Sequence, residues 1–194
     1  MVRLIQVSYL SLRFVNEGDR LVGYNTDWRG FLEALEERVD LMGKRVVLIG
    51  AGGAARAIGF ALKRRDCEVI ISNRTMDRGA RLAKELKCIH RPISSMGNLR
   101  ADVIINASSV GMHPHDKESP LPQKVLKRGM TVMDIVYSPL QTKLLREAEE
   151  VGCLNINGLE MLSRQGAAQL EIWTGRKPEI NSIKEDLHRA LERK

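Results

Sequence analysis

Residues 45–55 read Arg45-Val-Val-Leu-Ile-Gly50-Ala-Gly-Gly-Ala-Ala55, a β-branched run that ends in a cluster of small residues. The stretch from Arg45 to Gly50 has the composition of a strand buried on both faces, as in a parallel sheet. Small and apolar residues then recur at helical spacing from Gly53 to Arg65, among them Ala54, Ala57, Ile58, Ala61 and Leu62. The junction, Gly50 to Ala55, matches G-x-G-x-x-A, the form of the dinucleotide fingerprint with alanine in third place. Gly50 permits a tight turn, and Gly52 lets backbone approach a pyrophosphate. The helix start through Gly53 and Ala54 offers unpaired N–H groups and positive partial charge. A plain strand-to-helix turn also uses glycine, but the strand before and the helix after favour dinucleotide binding.

The same alternation continues outward. Glu68–Ser72, Asp102–Asn106, Thr131–Val136 and Leu154–Ile156 read as further strands, with helices over about Asp77–Leu86 and Leu140–Val151. Gly158–Trp173 and Ile180–Arg193 read as two closing helices. Strands alternating with helices predict an α/β fold, a doubly wound parallel sheet with right-handed crossovers. The first residues differ. Arg3–Val15 alternates loosely, Glu17-Gly18-Asp19 signals a turn, and Leu21–Tyr24 is expected to return as a hairpin strand. Thr26–Arg38 reads as a helix with Thr26 or Asp27 as its N-cap, and 40–43 as a link. The expected division is 1–40, 41–157 as the dinucleotide-binding domain, and 158–194 as closing helices.

Composition narrows the class. The chain has 194 residues, 43% hydrophobic and 28% charged, which excludes a disordered or collagen-like protein. No apolar run reaches the roughly 18–20 residues of a membrane span. Gln6 and Arg13 interrupt the apolar start, so no signal peptide is expected. Cys67, Cys88 and Cys153 are odd in number and far apart, which suits a reducing cytoplasm and gives neither a disulfide framework nor a zinc pattern. His113-Pro-His115 lacks a third ligand, so no metal site is expected there. The net charge of +7 would by itself suggest an anionic partner. It is concentrated in residues 41–100, which hold 13 Lys/Arg against 4 Asp/Glu.

Part of that segment has a specific use. An NAD site usually places Asp or Glu at the end of the second strand, about 20 residues after the fingerprint, to bond the ribose 2′-OH. Here the position reads Ser72-Asn73-Arg74-Thr75, with Arg78 one helical turn on. A carboxylate is absent, and two guanidinium groups stand where a 2′-phosphate would lie. Bidentate, charge-assisted bonding suits a phosphate dianion, so this pattern favours NADP over NAD. The remaining basic residues, including Lys63, Arg64, Arg65, Arg81, Lys84 and Lys87, fit the wet faces of two crossover helices. No aromatic platform accompanies them, so nucleic acid is not an expected partner.

Six stretches carry a resemblance: Gly23-Tyr-Asn-Thr-Asp27, Gly50–Ala55, Asn73-Arg-Thr75, Asn106-Ala-Ser-Ser-Val-Gly-Met112, Val136-Tyr-Ser-Pro139 with Thr142, and Gly158-Leu-Glu-Met161 through Gln165 to Trp173-Thr-Gly175. In order and spacing the chain resembles the shikimate dehydrogenase family, from about Asp19 to Gly175. The resemblance implies an oxidoreductase of aromatic amino-acid (chorismate) biosynthesis that moves a hydride between NADPH and 3-dehydroshikimate, giving shikimate. It implies that Gly50, Ala51, Gly52, Gly53 and Ala54 hold the pyrophosphate and that Asn73, Arg74, Thr75 and Arg78 hold the 2′-phosphate. Ile135 and Gly158 would lie near the nicotinamide, and Asp27, Tyr137 and Gln165 would face shikimate. In the family an aspartate, matched by Asp27, works with a lysine on the proton at the reacting oxygen.

The chain departs from the family pattern before Asp19. The family's preceding substrate domain supplies a paired-serine motif, the lysine and an A-x-N-T segment, and none has a match here. The first lysine of the chain is Lys44. The expectation is a family member shortened at its N-terminus, whether a cloned fragment, an erroneous start or a truncated paralogue. Such a chain would bind NADP and turn over shikimate poorly or not at all. A non-catalytic, NADP-responsive module is the alternative, and the uncovered surface would favour a homodimer.

Overall fold

The computed structural model describes residues 12–17, 20–98 and 100–192. Strand β1 (Leu12–Glu17) pairs antiparallel with β2 (Arg20–Asn25), placing Val15 opposite Val22. The expected hairpin is therefore present, although Gly18, Asp19 and the alternating residues before Leu12 lie outside the described residues. Helix α1 (Asp27–Glu36) follows at once. Thr26 is its N-cap residue, one of the two expected, with helical backbone angles and no side-chain capping bond of its own. The side-chain bond at this end comes from Asn25, its Oδ1 accepting the Asp27 N–H at 2.9 Å in an Asx turn.

Six strands form the main sheet: β3 (Arg45–Ile49), β4 (Glu68–Ser72), β5 (Ile89–His90), β6 (Val103–Asn106), β7 (Thr131–Asp134) and β8 (Leu154–Ile156). Their order is β5-β4-β3-β6-β7-β8, with every neighbouring pair parallel. Helices α2 (Gly53–Leu62), α3 (Met76–Leu86), α4 (Lys143–Val151), α5 (Gly158–Thr174) and α6 (Ile180–Glu192) complete the chain. Two short 3-10 turns, Ile93–Asn98 and Gln123–Val125, lie in the connections into β6 and β7. This is the doubly wound sheet expected from the sequence. β5 is new, since two residues are too few to show periodicity. β7 ends two residues before its expected limit because the Val136 N–H turns back to the Asp134 carboxylate at 3.0 Å. α4 starts at Lys143 because Thr142 caps it, its Oγ1 accepting from the Leu145 N–H at 3.3 Å.

Alternate residues of each strand face opposite layers, as the two-residue strand period requires. Val46 and Leu48 of β3, Val69 and Ile71 of β4, and Val103 and Ile105 of β6 pack into one core with Phe31 and Leu35 of α1, Ile58 of α2, Leu82 of α3 and Met161 of α5. Val47, Ile49, Ile70 and Ile104 face the other core, with Met96 and with Leu144 and Ala148 of α4. No helix among the described residues is long and apolar enough to cross a membrane.

The end of the chain is held by charge as well as packing. Arg164 of α5 is almost wholly buried and bonds Glu160 at 2.7 Å and Glu37, beyond the end of α1. Lys184 of α6 also pairs with Glu160. Burial alone would raise the Glu160 pKa, but hydrogen bonds from Lys184 and Arg164 outweigh it and hold the carboxyl below its ordinary value of 4.5. Replacing one partner leaves the buried guanidinium undercompensated. Glu160→Gln is expected to lower stability by about 1–3 kcal/mol in urea unfolding at neutral pH. Because the folded-state pKa is depressed, the advantage of the parent protein is full above the ordinary Glu range. It should shrink as pH falls below that range.

Candidate functional site

β3 sends its crossover helix α2 to one face of the sheet, and the neighbouring β6 leads to the other. A crevice opens between their carboxyl ends, the place where open α/β sheets bind ligands. The two exits are in close contact. Gly50 has φ +124°, its N–H bonds the Ser72 carbonyl at 2.8 Å, and a β-carbon there would lie 2.6 Å from the Ala107 carbonyl oxygen. Glycine is required twice over, by conformation and by space. Gly52, by contrast, has nothing within 4 Å of where its β-carbon would stand. That room faces the start of α2, where no side chain caps the first turn. The backbone N–H groups there remain available to a ligand.

The crevice widens into a cleft of about 740 Å³. Of the expected cofactor residues, Gly50, Ala51, Gly52, Asn73, Arg74, Thr75 and Arg78 line it. Gly53 and Ala54 form the first turn of α2 behind it. The opposite wall, Ala107 to Val110, belongs to the loop after β6. Asn73 shapes its own turn by donating from Nδ2 to the Thr75 carbonyl at 2.9 Å. Arg74 and Arg78 are exposed and form no hydrogen bond or ion pair among the described residues. Other arginines are engaged: Arg45 with Glu68, Arg56 with Glu85, Arg65 with Glu36 and Arg164 with Glu160. The cleft thus keeps two uncommitted guanidinium groups beside an open helix N-terminus. Glycine-lined backbone, that N-terminus and two cations form a donor set that fits a dinucleotide carrying an additional phosphate.

A second cluster involves α1 and α5. Asp27 is 6% exposed, and its Oδ1 accepts from Gln165 Nε2 at 2.6 Å. The two residues stand 138 positions apart. They meet because the helices approach at Gly30, where a β-carbon would lie 2.6 Å from the Gln165 backbone nitrogen and 2.8 Å from the Met161 carbonyl. Gly158 opens α5 in similarly tight packing, a β-carbon there falling 2.5 Å from the carbonyl oxygens of Ile135 and Val136. Ile135 is half-buried and Tyr137 is 44% exposed, both just beyond β7. None of Asp27, Ile135, Tyr137, Gly158 or Gln165 lines the cleft itself.

Pro92 to Ser94 and Glu118 to Pro120 also line the cleft, and nothing in the sequence marks them, since these loop residues carry no periodic signal. His115 pairs with Glu118 at 2.9 Å. Among the described residues no group of three or more His, Cys, Asp or Glu gathers as a metal site. Burial pushes the Cys67, Cys88 and Cys153 thiols above their ordinary value, which disfavours the reactive thiolate.

Comparison with known proteins places this arrangement. The family described as "Shikimate / quinate 5-dehydrogenase" matches residues 33–161, and "Shikimate 5'-dehydrogenase C-terminal domain" matches residues 158–187. The chain belongs to the shikimate/quinate dehydrogenase family. A shikimate dehydrogenase (NADP(+)) of Geobacillus kaustophilus is 42% identical over 187 residues, covering 92% of this chain and 68% of the relative. A crystal structure of shikimate dehydrogenase in complex with NADP+ superposes with a TM-score of 0.86 at 38% identity, over 92% of this chain and 66% of that one. The Thermus thermophilus enzyme, solved with NADP(H) and shikimate, gives a TM-score of 0.83 at 40% identity, over 92% and 67%. The chain spans about two thirds of the length of these relatives, 64% for one from Moorella thermoacetica.

The Gly30 contact is directly testable. Gly30→Ala inserts a methyl group against backbone, which cannot rotate away. It is expected to cost about 1–3 kcal/mol of stability, measured by urea unfolding. A solution structure or nuclear magnetic resonance map of that variant should show the Asp27–Gln165 pair separated.

Proposed function

We propose that this chain forms the NADP(H)-binding side of a shikimate dehydrogenase, which interconverts shikimate and 3-dehydroshikimate. The observation that carries the reading is the pair of uncommitted cations, Arg74 and Arg78, at the end of β4 where an NAD site would hold a carboxylate. The family membership and the relatives named for NADP(+) support it. Residues 41–157 are the cofactor-binding unit in this reading. Residues 1–40 and 158–194 contribute to the substrate side.

Bound NADPH would supply the hydride. The backbone from Gly50 to Ala54 would hold the pyrophosphate at the α2 N-terminus. Asn73 and Thr75 shape the turn that presents Arg74, and Arg78 follows in the first helical turn. Ile135 and Gly158 would border the nicotinamide end. Asp27, Tyr137 and Gln165 would meet the substrate. Gln165 orients one carboxylate oxygen of Asp27, so this carboxylate is held for proton handling at the reacting oxygen. The family pairs that aspartate with a lysine, and the 194 residues contain none before Lys44. The purified 194-residue chain is therefore expected to bind the cofactor while oxidising shikimate slowly or not at all.

Titration of NADPH, followed by its fluorescence, tests the cofactor assignment. The parent chain should bind NADPH at least about tenfold more tightly than NADH. Arg74→Ala and Arg78→Ala should each weaken NADPH by about tenfold and leave NADH within about twofold. Equal binding of the two cofactors by the parent chain would sink the 2′-phosphate assignment. Adding NADP+ and shikimate to the same preparation tests turnover, and a rate matching a full-length relative would overturn the expected impairment. Light scattering on that sample checks for the homodimer that this reading includes.

A further inference from the structure

The cleft wall from Ala107 to Val110 is a loop, yet it faces the proposed ligand along its whole length. What holds it lies behind it, at the end of β7. Asp134 is 0% exposed. Its Oδ1 accepts from Asn106 Nδ2 and from the Val136 N–H, both at 3.0 Å. Its Oδ2 accepts from Thr142 Oγ1 at 2.8 Å. Asn106 relays this hold into the wall. Its Nδ2 also donates to the Val110 carbonyl at 2.9 Å, and its Oδ1 accepts from the Ser108 N–H at 3.1 Å and the Ser108 hydroxyl at 2.6 Å. One carboxyl group thus ties the loop after β6 to the exit of β7 and the cap of α4.

A buried carboxylate is an expensive way to make these bonds, because burial penalises the charge and no cation among the described residues offsets it. The groups touching it are neutral: Asn106 from β6, Val136 beyond β7 and Thr142 at the start of α4. The nearest charged residue along α4, Lys143, pairs with Glu147 at 3.8 Å. The ionised carboxylate offers all three donors a charge-assisted acceptor and turns no hydrogen toward any of them. An amide in its place would turn a donor toward one of them. We propose that Asp134 is a positioning residue for the cofactor cleft, acting through Asn106 to hold residues 107–110 in the conformation that receives the dinucleotide. The inference rests on the cofactor reading of the cleft. Asp134 itself does not line it.

The hold should weaken with acid. Burial pushes the Asp134 carboxyl up to about 6, against the opposing pull of its bonds to Val136, Thr142 and Asn106. Protonation turns one acceptor oxygen into a donor. The neutral acid is also the weaker acceptor, so the Asn106 Nδ2 bond to Oδ1 loses its charge assistance. The affinity for NADPH is therefore highest with Asp134 ionised and falls as pH drops through about 6. The 2′-phosphate of the cofactor ionises over the same range, and so do histidines as a class. All of these are unchanged by a substitution at position 134, so the difference between two pH profiles isolates Asp134.

The test is NADPH titration of the 194-residue chain and of Asp134→Asn between pH 5.5 and 8 (roughly the range around these ionisations). At the alkaline end Asp134→Asn should bind about tenfold more weakly. The gap should close to about threefold at pH 5.5, where roughly three quarters of the parent is protonated. Asn106→Ala should give a loss similar to Asp134→Asn, and the double variant no further loss, because both act along one path. This variant also stands as the test if Asp134→Asn fails to fold. Thr142→Val, which removes the Oδ2 bond and spares Asn106, should lower stability and leave the affinity within about twofold. Parent-like binding by Asp134→Asn and Asn106→Ala, or a loss constant with pH, overturns the inference. A parent chain that binds no NADPH overturns the cofactor reading and this inference with it.

Discussion

The contact between the backbones of Gly50 and Ala107 governs the architecture around the cleft. β3 and β6 run side by side with backbone partners in register as far as Ile49 and Asn106. Beyond that point their exits lead to opposite faces of the sheet. The strands remain close enough that Gly50 has no room for a β-carbon. A crevice must open above the contact, since neither following segment can cover it. The crevice floor, the open N-terminus of α2 and the loop wall opposite all follow from this divergence. Gly52 shows the complementary case, a glycine with open space beside it where a ligand can approach backbone.

Charge on this molecule divides into two populations. Arg29, Arg45, Arg56, Arg65 and Arg164 sit in ion pairs with named carboxylates. Arg74 and Arg78 form none among the described residues, and they line the cleft beside the open N-terminus of α2. Net charge alone would have suggested a polyanion as partner. The arrangement of the pairs makes the cleft the more economical explanation for two of those charges, with the others covering helix faces. Buried charge is sparse and local. Arg164 and Glu160 clamp the closing helices, while Asp134 joins three segments through neutral donors.

The strands β3, β4, β6 and β8 and the helices α2, α3, α5 and α6 were legible from hydrophobic period and small-residue spacing, to within a few residues at their ends. Errors fell where a side chain competes with the backbone for a hydrogen bond. Asp134 drew the Val136 N–H out of the β7 ladder, and Thr142 delayed the start of α4. Such local contests depend on where an acceptor ends up in space, which periodicity does not encode. The same limit explains Asp134. The sequence placed it inside an expected strand over Thr131–Val136, and its three donors come from different segments.

By itself the sequence determined the class of fold, the dinucleotide fingerprint and the absence of a carboxylate after the second strand, because each is a local pattern of residue type and spacing. The resemblance to a known family rested on the same short stretches. Only the tertiary structure decided which residues meet. Asp27 and Gln165 become partners because α1 and α5 touch at Gly30, and nothing local to either residue announces that contact. The loop after β6 is bonded to Asn106 at the strand end, and a buried carboxyl on the neighbouring strand accepts from the same amide. Strand and helix patterns are written within a few turns of chain. The placement of side chains across a core is settled by packing between segments far apart in sequence.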